Sequence, residues 1–198
     1  MTAVAPARRG RGRPRAADPE RISEIALGLM IERGYAATTM AGIARAAGVS
    51  ESTVFRYFSS KASVLWYGME DSARVFREAF AYRGARLPLV DAIFEAYLDM
   101  LHSPDVPQVV IRRRVAIVWR STEATDAAWT QFGQWRRMVS EFVAERRGIP
   151  ADSFEAEVLG GIVWSALSAA ITAWATGDDP DPTSAVRAAR AWVALPPP

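Results

Sequence analysis

The chain has 198 residues, half of them hydrophobic, with 24 Lys+Arg against 22 Asp+Glu and a net charge of +2. Disordered and fibrous chains lack that apolar content, so a soluble protein with a real core is indicated. Cysteine is absent and His102 is the one histidine, which removes disulfides, thiolate metal sites and cysteine nucleophiles and leaves metal binding and His-based catalysis short of ligands.

Charge is uneven along the chain. Up to Met69 there are ten basic and five acidic residues, a net of +5, whereas the remainder carries −3. A basic front and an acidic rear suggest that the front meets a polyanion, with nucleic acid first among the candidates and a merely solvated tail as the alternative. Residues 1–17 are Arg, Gly, Pro and Ala with little to bury and read as a disordered basic arm. They contain no apolar signal-peptide core, so a cytoplasmic protein without a membrane partner is expected.

After the arm nearly everything reads helical. Ile22, Ile25, Ala26, Leu29 and Met30 recur at three- and four-residue spacing, with Asp18 as N-cap, Pro19 at the first position and Gly34 as the stop. Thr38 or Thr39 caps a short helix with Met40, Ile43 and Ala44 inward. Ala47-Gly48-Val49 ends it, and Ser50 caps another carrying Val54, Tyr57 and Phe58. Ser59 or Ser60 opens a longer helix from Lys61 towards Arg83, and Pro88 opens the next. Val106–Arg120, Thr125–Arg147, Phe154–Thr176 and Ser184–Leu195 continue the pattern. No hairpin-type alternation occurs, so the fold class is all-α with about nine helices. Val158 to Gly177 is uncharged and long enough to cross a membrane, but its glycines, serines and alanines and its acidic flanks read as a helix buried on nearly all sides by protein.

Thr39 to Phe58, TMAGIARAAGVSESTVFRYF, is two short amphipathic helices around a turn at Gly48. That is the helix-turn-helix pattern. The outward face of its second helix carries Glu51, Ser52, Thr53 and Arg56, small and polar enough for a major groove.

Ile22 to Lys61 resembles the N-terminal DNA-binding domain of the TetR family of bacterial regulators, on Gly34-Tyr35, Thr38-Thr39, Ile43-Ala44, Ala47-Gly48-Val49-Ser50, Thr53, Tyr57-Phe58 and Lys61 in order. The resemblance implies that Thr38 and Thr39 begin the second helix at a phosphate, and that Ser50, Ser52 and Thr53 touch phosphate or base edges. It makes Arg56 and Glu51 the base readers, and sets Tyr57 and Lys61 on the backbone. Ser52 stands where the family often has Gly, Phe55 where it often has Tyr, and Ala62 where it usually has an acid. Arg11, Arg13 and Arg15 of the arm fit either a narrow minor groove or loose phosphate contact.

The resemblance divides the chain into the arm at 1–17, a DNA-binding domain at 18–69 and a ligand-binding and dimerisation domain at 70–198. Six of the seven tryptophans lie in the last of these. Trp119, Trp129, Trp135 and Trp164, with Phe94, Tyr97, Met100 and Phe132, are expected either to line a cavity for a hydrophobic effector or simply to fill the core. Arg112-Arg113-Arg114 interrupts an apolar helix. Either Arg113 or Arg114 faces the cavity mouth, or the run forms salt bridges with acidic neighbours. His102 reads as a surface or capping residue. Residues 135–144 and 166–169 more weakly resemble the mycofactocin-associated subgroup of these regulators, which implies an acyl-type or other lipophilic ligand.

Small residues at Gly160, Gly161, Ser165 and Ser168, with Trp164 and Trp192, are expected to form a homodimer interface with the last helix. The expected whole is a homodimeric, effector-responsive regulator of double-stranded DNA, a repressor, with no cofactor. An architectural DNA-binding protein without a ligand is the alternative. An enzyme is disfavoured because G-x-S-x-G, G-x-x-x-x-G-K and H-E-x-x-H motifs are all missing.

Overall fold

A computed structural model describes residues 18–194; the arm, with Arg11, Arg13 and Arg15, lies outside them. Among the described residues there are ten helices and no strands: α1 (Pro19–Arg33), α2 (Met40–Ala47), α3 (Glu51–Tyr57), α4 (Lys61–Leu65), α5 (Met69–Gly84), α6 (Leu89–Leu101), α7 (Gln108–Trp119), α8 (Thr122–Arg147), α9 (Phe154–Thr176) and α10 (Thr183–Arg190).

Ten helices replace the expected nine because the segment read as continuous from Lys61 to Arg83 breaks in two. Trp66 closes α4, and Gly68, with φ +80°, takes the left-handed conformation that precedes α5. Apolar spacing runs straight across this break, so periodicity gives no sign of it.

Caps fix the short helices. Asp18, Thr39, Ser50 and Ser60 each accept a backbone N–H at the start of α1 to α4, an interaction that contributes about 1 kcal/mol per helix. Ser60 and Ser63 cap each other reciprocally, which supplies what the missing acid after Lys61 would have given. Gly48 at φ +68° closes α2, its N–H reaching Ala44 and Arg45 carbonyls.

One apolar cluster joins α1–α4, through Ile22, Leu27, Ile43, Val54, Phe58 and Leu65, to Ile117, Val118, Ala124 and Ala128 at the α7–α8 corner. The second cluster joins α5, α6, α8, α9 and α10 around Phe76, Ile93, Val139 and Leu167. Bidentate Arg83–Asp99 bonds, both 2.7 Å, tie α5 to α6, and Arg190 bonds Asp91 at 2.7 Å to tie α10 to α6.

The helix α9 is not buried on nearly all sides. Phe154, Val158 and Ile162 are exposed along one face, and 44% of its most apolar stretch is buried. The opposite face packs so closely on α8 that a Cβ at Gly160 would stand 2.2 Å from Ser140 Oγ.

Candidate DNA interface and effector cavity

On α3 the one buried side chain is Val54, which anchors the helix, while Glu51, Ser52, Phe55, Arg56 and Tyr57 are exposed. The Arg56 guanidinium lies over the Tyr57 ring, 4.9 Å from its centre, and donates to the phenol oxygen at 3.2 Å. Ser50 Oγ accepts the Thr53 N–H at 3.2 Å and lies 2.9 Å from Ser52 Oγ and 2.8 Å from Thr53 Oγ1. Hydroxyls therefore crowd the N-terminus of α3, where backbone donors favour a phosphate.

Thr39 is exposed and caps α2, accepting the Gly42 N–H at 3.0 Å. Thr38 does something else. It is buried and donates to the Gly34 carbonyl at 2.9 Å, so it fastens the turn instead of facing a phosphate. Lys61 also departs from its expected place on the DNA backbone. Its ammonium donates to the Tyr35 carbonyl at 2.8 Å and pairs with Glu123 at 3.0 Å, bracing α4 against α8. Arg33 and Arg45, not singled out by sequence reading, flank a surface hollow with Thr39 and Gly42. Both are exposed.

Behind this unit lies an apolar cavity of about 350 Å³, within the range of small-molecule sites. Of the residues weighed for such a cavity or for the core, Tyr97, Met100, Arg114, Trp119, Phe132, Trp135 and Trp164 all line it. Trp135 stacks between Phe76, at 5.8 Å, and Trp164, at 6.1 Å. Tyr97 is buried against Phe76 and Trp135, and burial pushes its phenol well above the usual tyrosine range.

Three expected ligand residues do not reach the cavity. Phe94 is packed in the core, and Trp129 is 68% exposed. Trp129 lies six residues before Trp135, about 240° away around α8. The arginine run splits three ways. Arg113 is exposed, Arg112 bonds the Trp174 and Gly177 carbonyls at the end of α9, and Arg114 is 6% exposed at the cavity wall. Neither Arg112 nor Arg114 forms a carboxylate salt bridge among the described residues. His102 follows the last turn of α6 and contacts Asp181 at 3.2 Å, consistent with a surface or capping role.

The cavity touches the first unit directly. Trp66 and Met69, on either side of Gly68, form part of its wall. Sequence reading missed both, since the turn they flank was itself hidden.

The expected interface residues separate by face. Gly160 is closed against Ser140, while Trp164 and Ser168 line the cavity. These three point into their own subunit. Gly161 has open space around it, Ser165 is exposed and Trp192 is 90% exposed.

Residues 22–65 match the pattern of "Bacterial regulatory proteins, tetR family", and residues 87–195, more than half of the chain, match the "MftR C-terminal domain". The chain belongs to the TetR family of bacterial regulatory proteins. A Mycobacterium tuberculosis protein named as a mycofactocin biosynthesis transcriptional regulator, MftR, is 27% identical over 163 residues, 82% of this chain and 81% of that one. Among solved structures, Thermus thermophilus FadR, a TetR-family repressor in complex with lauroyl-CoA, is 20% identical with a TM-score of 0.52. The match covers 91% of this chain and 98% of that one. Pseudomonas aeruginosa NalD, the secondary repressor of the MexAB-OprM efflux pump, is 20% identical with a TM-score of 0.57, covering 86% and 90%. At these identities the two structures establish the shared TetR-family fold, and α1–α4 are its DNA-binding helix-turn-helix unit.

Proposed function

We propose that this TetR-family protein is a homodimeric, cytoplasmic repressor, released from a near-palindromic operator by a small hydrophobic effector of acyl type. The observation that carries the reading is the sharing of Trp66 and Met69 between the apolar cavity and the turn joining α4 to α5. A molecule entering the cavity presses on the segment immediately behind the helix-turn-helix, so the two sites bias one element.

DNA binding rests on the exposed polar face of α3, with Thr39, Arg33 and Arg45 as phosphate partners and Arg56 and Glu51 as base readers. Dimerisation rests on the exposed face of α9, with Phe154, Val158, Gly161, Ile162 and Ser165, and on Trp192 beyond α10. An apolar stripe of that length has the character of an interface covered by a second copy. Two recognition helices about 34–36 Å apart would then read successive major-groove faces. The lauroyl-CoA bound by the Thermus relative supports an acyl-type effector here.

The test is anisotropy of a labelled operator duplex saturated with protein and titrated with a graded series of aliphatic acids, alcohols and acyl thioesters. Loss of DNA affinity with at least one lipophile is expected. DNA binding indifferent to all of them, with no occupancy of the cavity, would return the protein to a ligand-independent architectural role.

A further inference from the structure

Two buried side-chain nitrogens lack a hydrogen-bond partner among the described residues, Trp66 Nε1 and Arg114 Nε. Both residues line the same apolar cavity. An unmatched buried donor costs on the order of 1–3 kcal/mol, and more when charged, so two at one site is a standing demand for an acceptor. Arg114 is 94% buried by its 6% exposure, and burial lowers its pKa to about 10, which leaves it charged at neutral pH. Its other nitrogens donate to the Tyr67 carbonyl and, at 3.4 Å, to Met69 Sδ. Arg114 also lines a second hollow with Glu20, Glu24, Glu70, Asp71 and Asp105, yet none of these carboxylates pairs with it among the described residues.

We propose that the effector is a lipophilic carboxylic acid whose carboxylate accepts from the Arg114 guanidinium and the Trp66 indole N–H while its chain fills the aromatic cavity. This rests on the effector reading above and narrows it from acyl-type molecules in general to the free acid. A carboxylate supplies what the site lacks: a negative charge against an unpaired cation, and several lone pairs for unpaired donors. An alcohol supplies a neutral acceptor, and an ester or thioester a neutral carbonyl, so neither matches the charge. The acid also competes with the Tyr67 carbonyl for Arg114, and Tyr67 lies in the turn beside Gly68 that joins α4 to α5.

The experiment uses the full chain at neutral pH, where the acid is ionised. Decanoate, decanol, methyl decanoate and decanoyl-CoA each displace a neutral naphthylamine dye from the cavity, with tryptophan fluorescence as a second readout. Wild type is expected to prefer decanoate over decanol and the ester by about tenfold or more, as charge-assisted bonds provide. In Arg114→Met that preference collapses to within about twofold while decanol binding persists, which also shows that the variant is folded. Arg114→Lys retains most of the preference, and Trp66→Phe loses a smaller part. Equal affinity for decanoate and decanol in wild type overturns the proposal, as does a preference for the acid that survives Arg114→Met. Tighter binding of decanoyl-CoA than of decanoate, unaffected by Arg114→Met, overturns it in favour of a thioester. If none of the four displaces the dye, the hydrophobic-effector reading itself fails.

Discussion

Gly160→Ala tests whether α9 is held by its own subunit at this point or by a partner. A Cβ there stands 2.2 Å from Ser140 Oγ and 2.6 Å from Ser140 Cα, and because Cα is backbone no rotamer relieves it. Forcing apart a packed helix pair costs about 1–3 kcal/mol, and a 2.6 Å clash with backbone falls in the upper half of that range, about 2–3 kcal/mol, while replacing Gly by Ala within a helix gives back about 1 kcal/mol. The net loss is about 1–2 kcal/mol, which lowers Tm by roughly 2–8 °C for a chain of this size. Thermal melts at two well-separated protein concentrations read it out. The Tm decrease should be the same at both, since the contact lies within one subunit, and Ser140→Gly should not rescue it, since the Cα remains. A Tm unchanged or raised by Gly160→Ala, full rescue by Ser140→Gly, or a loss that disappears at high concentration would refute the reasoning.

Ile162→Glu and Trp192→Ala alter the exposed face and should shift the protein to monomer in sedimentation equilibrium, each weakening association by about 2 kcal/mol or more if these residues are interface anchors; an unchanged dimer constant in both would remove this face from the interface. Arg56→Ala should cost about 1–3 kcal/mol of specific DNA binding and relax preference at one base pair, seen by anisotropy against single-position operator variants. The Asp181 carboxyl is held down to about 2, first by the Thr183 hydroxyl, then by the Thr183 amide and His102. Its contribution is therefore fully present above about pH 3.8 and lost as pH falls towards 2. The Tm difference between wild type and Asp181→Asn should shrink across that window, and a difference constant with pH would contradict the assignment.

The helix-turn-helix was legible because its signals are local. Caps at Asp18, Thr39 and Ser50, and the left-handed Gly48, are decided by residues within four positions of each other. The break at Gly68 was not, because apolar residues sit at helical spacing on both sides and the turn is held from outside, by Arg114 on the Tyr67 carbonyl. Thr38 and Lys61 show a similar limit. Their spacing places them near the DNA face, but whether a hydroxyl or ammonium points outward depends on the Gly34 and Tyr35 carbonyls and on Glu123, distant in the chain for Lys61. In the rear part, composition left an apolar cavity and a filled core both open, and it could not separate Trp135, which lines the cavity, from Trp129, which does not. Gly160 and Gly161 are adjacent in sequence and 100° apart on an ideal helix, enough to place one against α8 and the other on the open face.

The most direct test of the central claim is anisotropy of a fluorescent duplex carrying the DNA upstream of the gene, titrated with protein at several salt concentrations beside a shuffled duplex. A preference for the native sequence of about 10³-fold or more, lost in Arg56→Ala, is the expected result. Equal binding to both duplexes, falling steeply with salt, would mean that only phosphates are read and would contradict a sequence-specific regulator acting at its own promoter.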